Sequence, residues 1–277
     1  MHDDDDIKNM NEYELAQVKE IALWKSKEPS VVNKAFGFVS IPVVWLINKV
    51  IPQAAIEGSL HLSNTAASAM TDTGDILRDG KVATIRELRS KDLQLCDELA
   101  DSVHNWAVAA ATVEGGGTGA LGLPGLTADI PLFITWNLRT IQKIGLCYGY
   151  ECKSPEDQNF CFGILSAAGA NTLKEKTTAL LTLKTIEVML AKTTWKAMAN
   201  KAAMQNFSKE AAVVSIRGLA KQLGVNITKR KALQAIPVIG AAVGASVNGW
   251  FIREVGWAAR RAYQERWLLD NHKTMGI

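Results

Sequence analysis

The chain has 277 residues, 48% apolar and 21% charged, with a formal net charge of +3. That length can bury a substantial core, while the balance is too polar for a multi-span membrane protein and too neutral for a broad basic face toward nucleic acid. Four cysteines, Cys96, Cys147, Cys152 and Cys161, are too few for a secreted disulfide framework and match no zinc spacing, so they read as reduced, structural thiols; no cofactor is implied.

Taken in order, the chain starts with an acidic stretch, Met1 to Lys8, that has neither the basic nor the apolar region of a signal peptide. Residues 1–10 read as a solvated, disordered tail. Residues 12–27 carry the periodicity of an amphipathic helix that Pro29 ends. The stretch from Ala35 to Ile47 is apolar, interrupted by Pro42 and too short to span a bilayer, so it reads as a kinked buried helix or an interfacial one. Pro52 opens a small-residue helix that runs toward Gly74.

A helix over 91–113 follows, then a glycine-dense turn over 114–125, then a second helix from about 126 to 148 with Gly149 placed to cap it. Ser154-Pro155-Glu156-Asp157 is a helix start with proline at the first position. Further helices are predicted at 155–170, 174–205, 208–223 and 236–270. No sustained alternation of period two appears. The fold class is therefore all-α: one multi-helix domain over 11–277, in which a Gly/Ala-rich hydrophobic helical hairpin packs on a small-residue C-terminal helix.

Three constellations stand out. From Gly115 to Leu138 the only charge is Asp129, in a stretch full of glycine. Two uses fit: a tight corner between buried helices with Glu114 and Asp129 near helix ends, or a loop that meets a lipid headgroup or a partner. The second constellation is the uncharged run 236–252, where Gly240 and Gly244, and Ala241, Ala245 and Gly249, recur at intervals of four and make a smooth face for close helix crossing. The third is Asp97, Asp101 and His104, which share one helical face and with Glu114 make the low-ranked candidate for a metal-assisted hydrolase. The basic stretch 253–266, with Arg253, Arg260, Arg261 and Arg266 among tryptophans, reads first as a solvated helix face and second as a surface for anionic lipid.

The run Glu114-Gly-Gly-Gly-Thr118-Gly119-Ala-Leu-Gly122-Leu-Pro-Gly125-Leu-Thr-Ala-Asp129-Ile-Pro131 resembles the signature of the EcsC protein family. So do Arg139 with the Tyr148-Gly149-Tyr150 and Pro155-Glu156 that follow it, the block Ile236 to Asn248, and the helix around Arg266. The resemblance covers most of residues 90–270. It implies Glu114, Thr118, Gly119, Gly122, Asp129, Arg139, Gly240, Gly244 and Asn248 as motif positions, with an ion pair from Glu114 or Asp129 to Arg139. The family's namesake is encoded beside an ABC-type exporter, and some members have been described as peptidase-like.

The leading expectation is a non-enzymatic, cytoplasmic protein, peripheral at the inner face of the cell membrane. It binds membrane lipid or a membrane protein complex, with ABC-type exporter components among the partners and no nucleic acid. The alternatives are the metal-assisted hydrolase and a membrane-inserting toxin.

Overall fold

The computed structural model describes residues 10–30, 53–118, 122–197, 226 and 237–273, with side chains placed except at 53–57, 59, 61, 113–118, 122–130, 191–197 and 237–247. Local capping chemistry sets several helix ends. Helix α1 (Glu12–Ser26) opens on a capping box: the Asn11 carboxamide accepts the Glu14 N–H at 2.8 Å, and Glu14 accepts the Asn11 N–H at 3.0 Å. Then come α2 (Gln53–Met70), α3 (Gly74–Asp79), a 3-10 turn (Ile85–Ser90), α4 (Leu93–Thr118) and α5 (Gly122–Cys147). Helix α5 closes with Gly149 at φ +85°, where the Tyr150 N–H reaches the Gly145 carbonyl and the Gly149 N–H reaches that of Leu146, both at 2.9 Å. Helix α6 (Pro155–Ala168) opens with Ser154 as cap and proline in the first position. Helices α7 (Leu173–Ala197) and α8 (Pro237–Asp270) complete the set, and no strand occurs among the described residues.

The hairpin of α4 and α5 packs on α8, which also meets α6, α1 and α7. Helix α8 is central: from Val255 to Leu268 every residue but Trp257 is buried. It runs antiparallel to α4, as successive contacts show: Gln264 meets Asp97, Arg260 meets Asp101, Gly256 meets His104 and Gly249 meets Thr112. At Gly249 an added Cβ would lie 2.8 Å from the Thr112 hydroxyl, and at Gly256 it would fall inside the His104 ring. Close helix crossing through small residues, predicted for this segment, occurs here, and Gly256 extends it about two turns beyond the row read in the sequence.

Several expectations change. Helices α4 and α5 run into the glycine-dense stretch from both sides, as far as Thr118 and from Gly122 on, while residues 119–121 lie outside the described residues. Asp129 is therefore the eighth residue of α5, outside its first turn. Ten residues of one continuous helix separate it from Arg139, an axial distance of about 15 Å, too far for a direct ion pair. Helix α3 and the 3-10 turn went unread. Met10, assigned to the tail, is buried in the core, while residues 1–9 lie outside the described residues, as do the segments 31–51 and 208–223. The largest correction concerns the basic stretch: Arg260, Arg261 and Arg266 are between 5% and 8% exposed, so they form neither a solvated face nor a lipid surface. Each is paired with an acid on another helix.

Candidate functional site

Two places gather polar side chains in unusual settings. The first surrounds Asp97, which is 1% exposed at the junction of α1, α4, α5 and α8. Tyr13 donates its hydroxyl to one carboxylate oxygen at 2.6 Å, Tyr148 donates to the other, and the Gln264 amide donates to both at 2.7 and 2.8 Å. A carboxylate offers about four lone-pair sites, and all are taken. Burial, followed by the Asp97 charge, pushes the Tyr148 phenol well above its ordinary range, and burial with the same hydrogen bond raises Tyr13. Arg261 extends the network to Gln17 at 2.8 Å and Glu20 at 3.2 Å, tying α1 to α8.

Asp97, Asp101 and His104 do share a face of α4, but the structure spends them separately. Asp101 pairs with Arg260. His104 donates its Nε2 proton to the Arg253 carbonyl at 3.1 Å and sets its ring edge-on to Trp257. Burial, then the Arg260 charge, pulls its imidazole down to about 4. No group of three metal-ligating side chains converges among the described residues. A saturated carboxylate, an acid held by arginine and a neutral histidine aimed at a carbonyl make a packing face, so the metal-assisted reading loses its three described members. The Glu114 side chain lies outside the described residues.

The second place is on the outer side of the hairpin. Trp136 and Arg139 share a face of α5, being three residues apart, and Trp106 faces them from α4. The Arg139 guanidinium sits 5.3 Å from the Trp106 ring centre and 5.5 Å from that of Trp136, and its Nε donates to the Met70 carbonyl at 3.0 Å. Trp106 is 55% exposed and Leu132, one turn before Trp136, is 58% exposed. Behind them lies a cavity of about 100 Å³ walled by Ala107, Ala110, Ala111, Leu132, Phe133, Trp136, Asn137, Asn248 and Ile252. A second cavity of about 420 Å³ adjoins it, sharing Trp106, Ala107, Arg139 and Thr140 and adding Asp75, Arg78, Asp79 and Lys143. Asn137 is 1% exposed; its amide N–H donates to the Phe133 carbonyl at 2.6 Å and its Oδ1 meets no donor.

Of the motif positions, Arg139 and Asn248 thus meet at one cavity. Gly122, Gly240 and Gly244 lie within helices, and the surroundings of Glu114, Thr118, Gly122, Asp129, Gly240 and Gly244 lie outside the described residues, as does Gly119 itself. Tyr148 and Tyr150 turn inward, Tyr148 to Asp97 and Tyr150 to Asp270 at 2.9 Å. Sequence reasoning passed over Trp106, Leu132, Trp136 and Asn137. The available signal was the pair Trp136 and Arg139 at helical spacing in a stretch nearly without charge.

The EcsC protein family model matches residues 15–268. The chain is also similar to the "Uncharacterized protein YdbA" of Bacillus subtilis (strain 168), at 27% identity over 190 residues, which cover 69% of this chain and 64% of that protein. The match therefore spans less than two thirds of that relative's length. No solved structure matches.

Proposed function

Since the chain belongs to the EcsC protein family, we propose that it is a non-enzymatic accessory protein that associates peripherally with a bilayer, or with a membrane protein complex, through the α4–α5 hairpin. The observation that carries this reading is the Trp106–Arg139–Trp136 cluster beside exposed Leu132. Amphipathic indoles with an arginine between them suit the boundary between headgroups and hydrocarbon.

Beyond that cluster α4 continues twelve residues, from Ala107 to Thr118, or about 18 Å of helix. A hydrocarbon core is about 30 Å thick, so the hairpin has the length to enter one leaflet and not to cross both. Among the described residues no helix is long and apolar enough to cross a membrane. Glu114 and Asp129 are the two charges on the hairpin above the cluster, and their neutralisation in acid lowers the cost of entry. Four free cysteines fit a reducing compartment and hence the inner face of the membrane. Attachment to an ABC-type exporter is the more specific form of the reading, and it rests on the family.

Vesicle flotation tests it. Binding that persists in high salt and strengthens as pH falls is the expected result. Absence of flotation with zwitterionic and anionic vesicles alike overturns it.

A further inference from the structure

Cys152 and Cys161 bring their sulfur atoms to 3.4 Å from one another, a distance at which one thiol donates to the other. Both are free thiols. The two sit on unequal supports. Cys152 lies in the turn between α5 and α6, two residues before the Ser154 cap, and is partly exposed. Cys161 is the seventh residue of α6, is fully buried, and meets the Tyr263 hydroxyl at 3.5 Å. Bond formation asks the sulfurs to approach by about 1.4 Å. The Cys152 turn, being outside any helix, is the side that yields.

The other two thiols differ in access. Cys96 and Cys147 are fully buried on α4 and α5 and donate to the Leu88 and Lys143 carbonyls, each at 3.4 Å. Oxidation therefore selects Cys152, with Cys161 directly behind it. The Cys152 thiol is held protonated, first by the hydrogen it shares with Cys161 and then by burial. The pair rests as two thiols and reacts slowly, which suits a response to oxidant in excess rather than to a trace.

We infer that Cys152 and Cys161 are a peroxide-responsive pair that closes to a disulfide and clamps the α5–α6 turn onto α6. The Cys152 sulfur attacks hydrogen peroxide: the O–O bond breaks, the sulfur gives up two electrons to become a sulfenic acid, and one water leaves. The Cys161 sulfur then attacks that of Cys152. The S–S bond forms, the S–O bond breaks, and the oxygen departs with the Cys161 proton as a second water. One peroxide thus consumes two thiols and yields one disulfide and two waters, and a thiol reductant reverses the change. The inference is independent of the membrane reading.

The test treats the full chain with excess hydrogen peroxide and maps its peptides by mass spectrometry without reduction. A single linkage is expected, Cys152 to Cys161, about 2 Da lighter than the two thiol peptides together and opened by dithiothreitol. Cys161→Ala should leave Cys152 as a sulfenic acid that dimedone captures, while Cys152→Ser should leave the buried Cys161 unoxidised. Should Cys161→Ala fail to fold, the map of the parent protein decides alone. Trypsin reads the clamp. Cleavage after exposed Lys153 should slow about fivefold or more in the oxidised protein, because the turn must open locally to be cut, and should recover on reduction.

Peroxide that leaves both thiols free, drives Cys152 to sulfinic acid without a linkage, or joins Cys152 to Cys96, Cys147 or a second chain overturns the pair. Dimedone captured at Cys161 rather than Cys152 in the single variants overturns the order of attack. The expected linkage without slowed cleavage supports the modification site and overturns the clamp.

Discussion

Gly256 of α8 lies directly against the imidazole of His104, so closely that a methyl group added to the glycine would occupy the ring. The ring cannot retreat, because its Nε2 proton is committed to the Arg253 carbonyl and its other side meets Trp257. Gly256→Ala is expected to lower stability by about 2–3 kcal/mol through overpacking, seen as a fall of several degrees in Tm. Adding His104→Ala should recover part of that loss, because the two sites share one space. Additive losses in the double variant would contradict the contact.

The same histidine gives stability an acid limb. In the folded chain its imidazole titrates near 4, against 6.5 when unfolded. Between those values the unfolded chain binds more protons, so stability rises with pH across the window and is lost as pH falls toward 4. The full effect is about 3 kcal/mol. Urea unfolding of His104→Gln, which retains a donor for the Arg253 carbonyl, should lack this limb.

Glu187 acts with the opposite sign. Burial, then the Glu265 charge, raises its carboxyl to about 8, from 4.5 when unfolded. Its contribution is complete below 4.5 and declines as pH rises to 8. Glu187→Gln should therefore flatten the loss of stability between about pH 7.5 and 8, above the range in which unfolded His104 titrates. An unchanged slope in that interval would refute the assignment.

Replacing Asp97 with alanine strands the hydroxyls of Tyr13 and Tyr148 and leaves the Gln264 amide only its 3.2 Å bond to Gln17. A loss of about 3–5 kcal/mol is expected, with a smaller loss for Asp97→Asn, which keeps one acceptor oxygen. Chelators should leave Tm of the parent protein unmoved; a chelator-dependent Tm would restore a metal to this face.

Surface substitutions on the hairpin separate contact from folding. Trp106 and Leu132 are more than half exposed, so Trp106→Ala with Leu132→Ser should change Tm by no more than about 2 °C. Flotation on vesicles should drop about tenfold or more, given the apolar area withdrawn from the contact. Unimpaired flotation would move the contact elsewhere on the protein.

What could be read from the sequence follows the range of the forces involved. The helix start at Ser154-Pro155 and the stop at Gly149 depend on neighbours a few residues away, and both were legible. The crossing of α8 over the hairpin was legible too, because spacing of small residues is a local pattern. The fate of Arg260, Arg261 and Arg266 was not. Their partners Asp101, Glu20 and Asp157 lie 159, 241 and 109 residues away, and a charged face looks solvated until such partners are found. The hairpin cluster failed for a related reason: Trp136 and Arg139 are neighbours on one helix, but Trp106 joins them only after the chain doubles back.

Helix α8 has a consequence for how the molecule comes into being. It is the axle on which α1, α4, α5, α6 and α7 bear, yet it is translated after all of them. While the ribosome is still making residues 237–270, Asp97, Asp101 and Asp157 have no counter-ion or amide from that helix, and the apolar faces of α4, α5 and α6 stand open. The nascent polypeptide therefore waits as an unfinished bundle, exposed to chaperones or to a nearby lipid surface, until its central rod arrives.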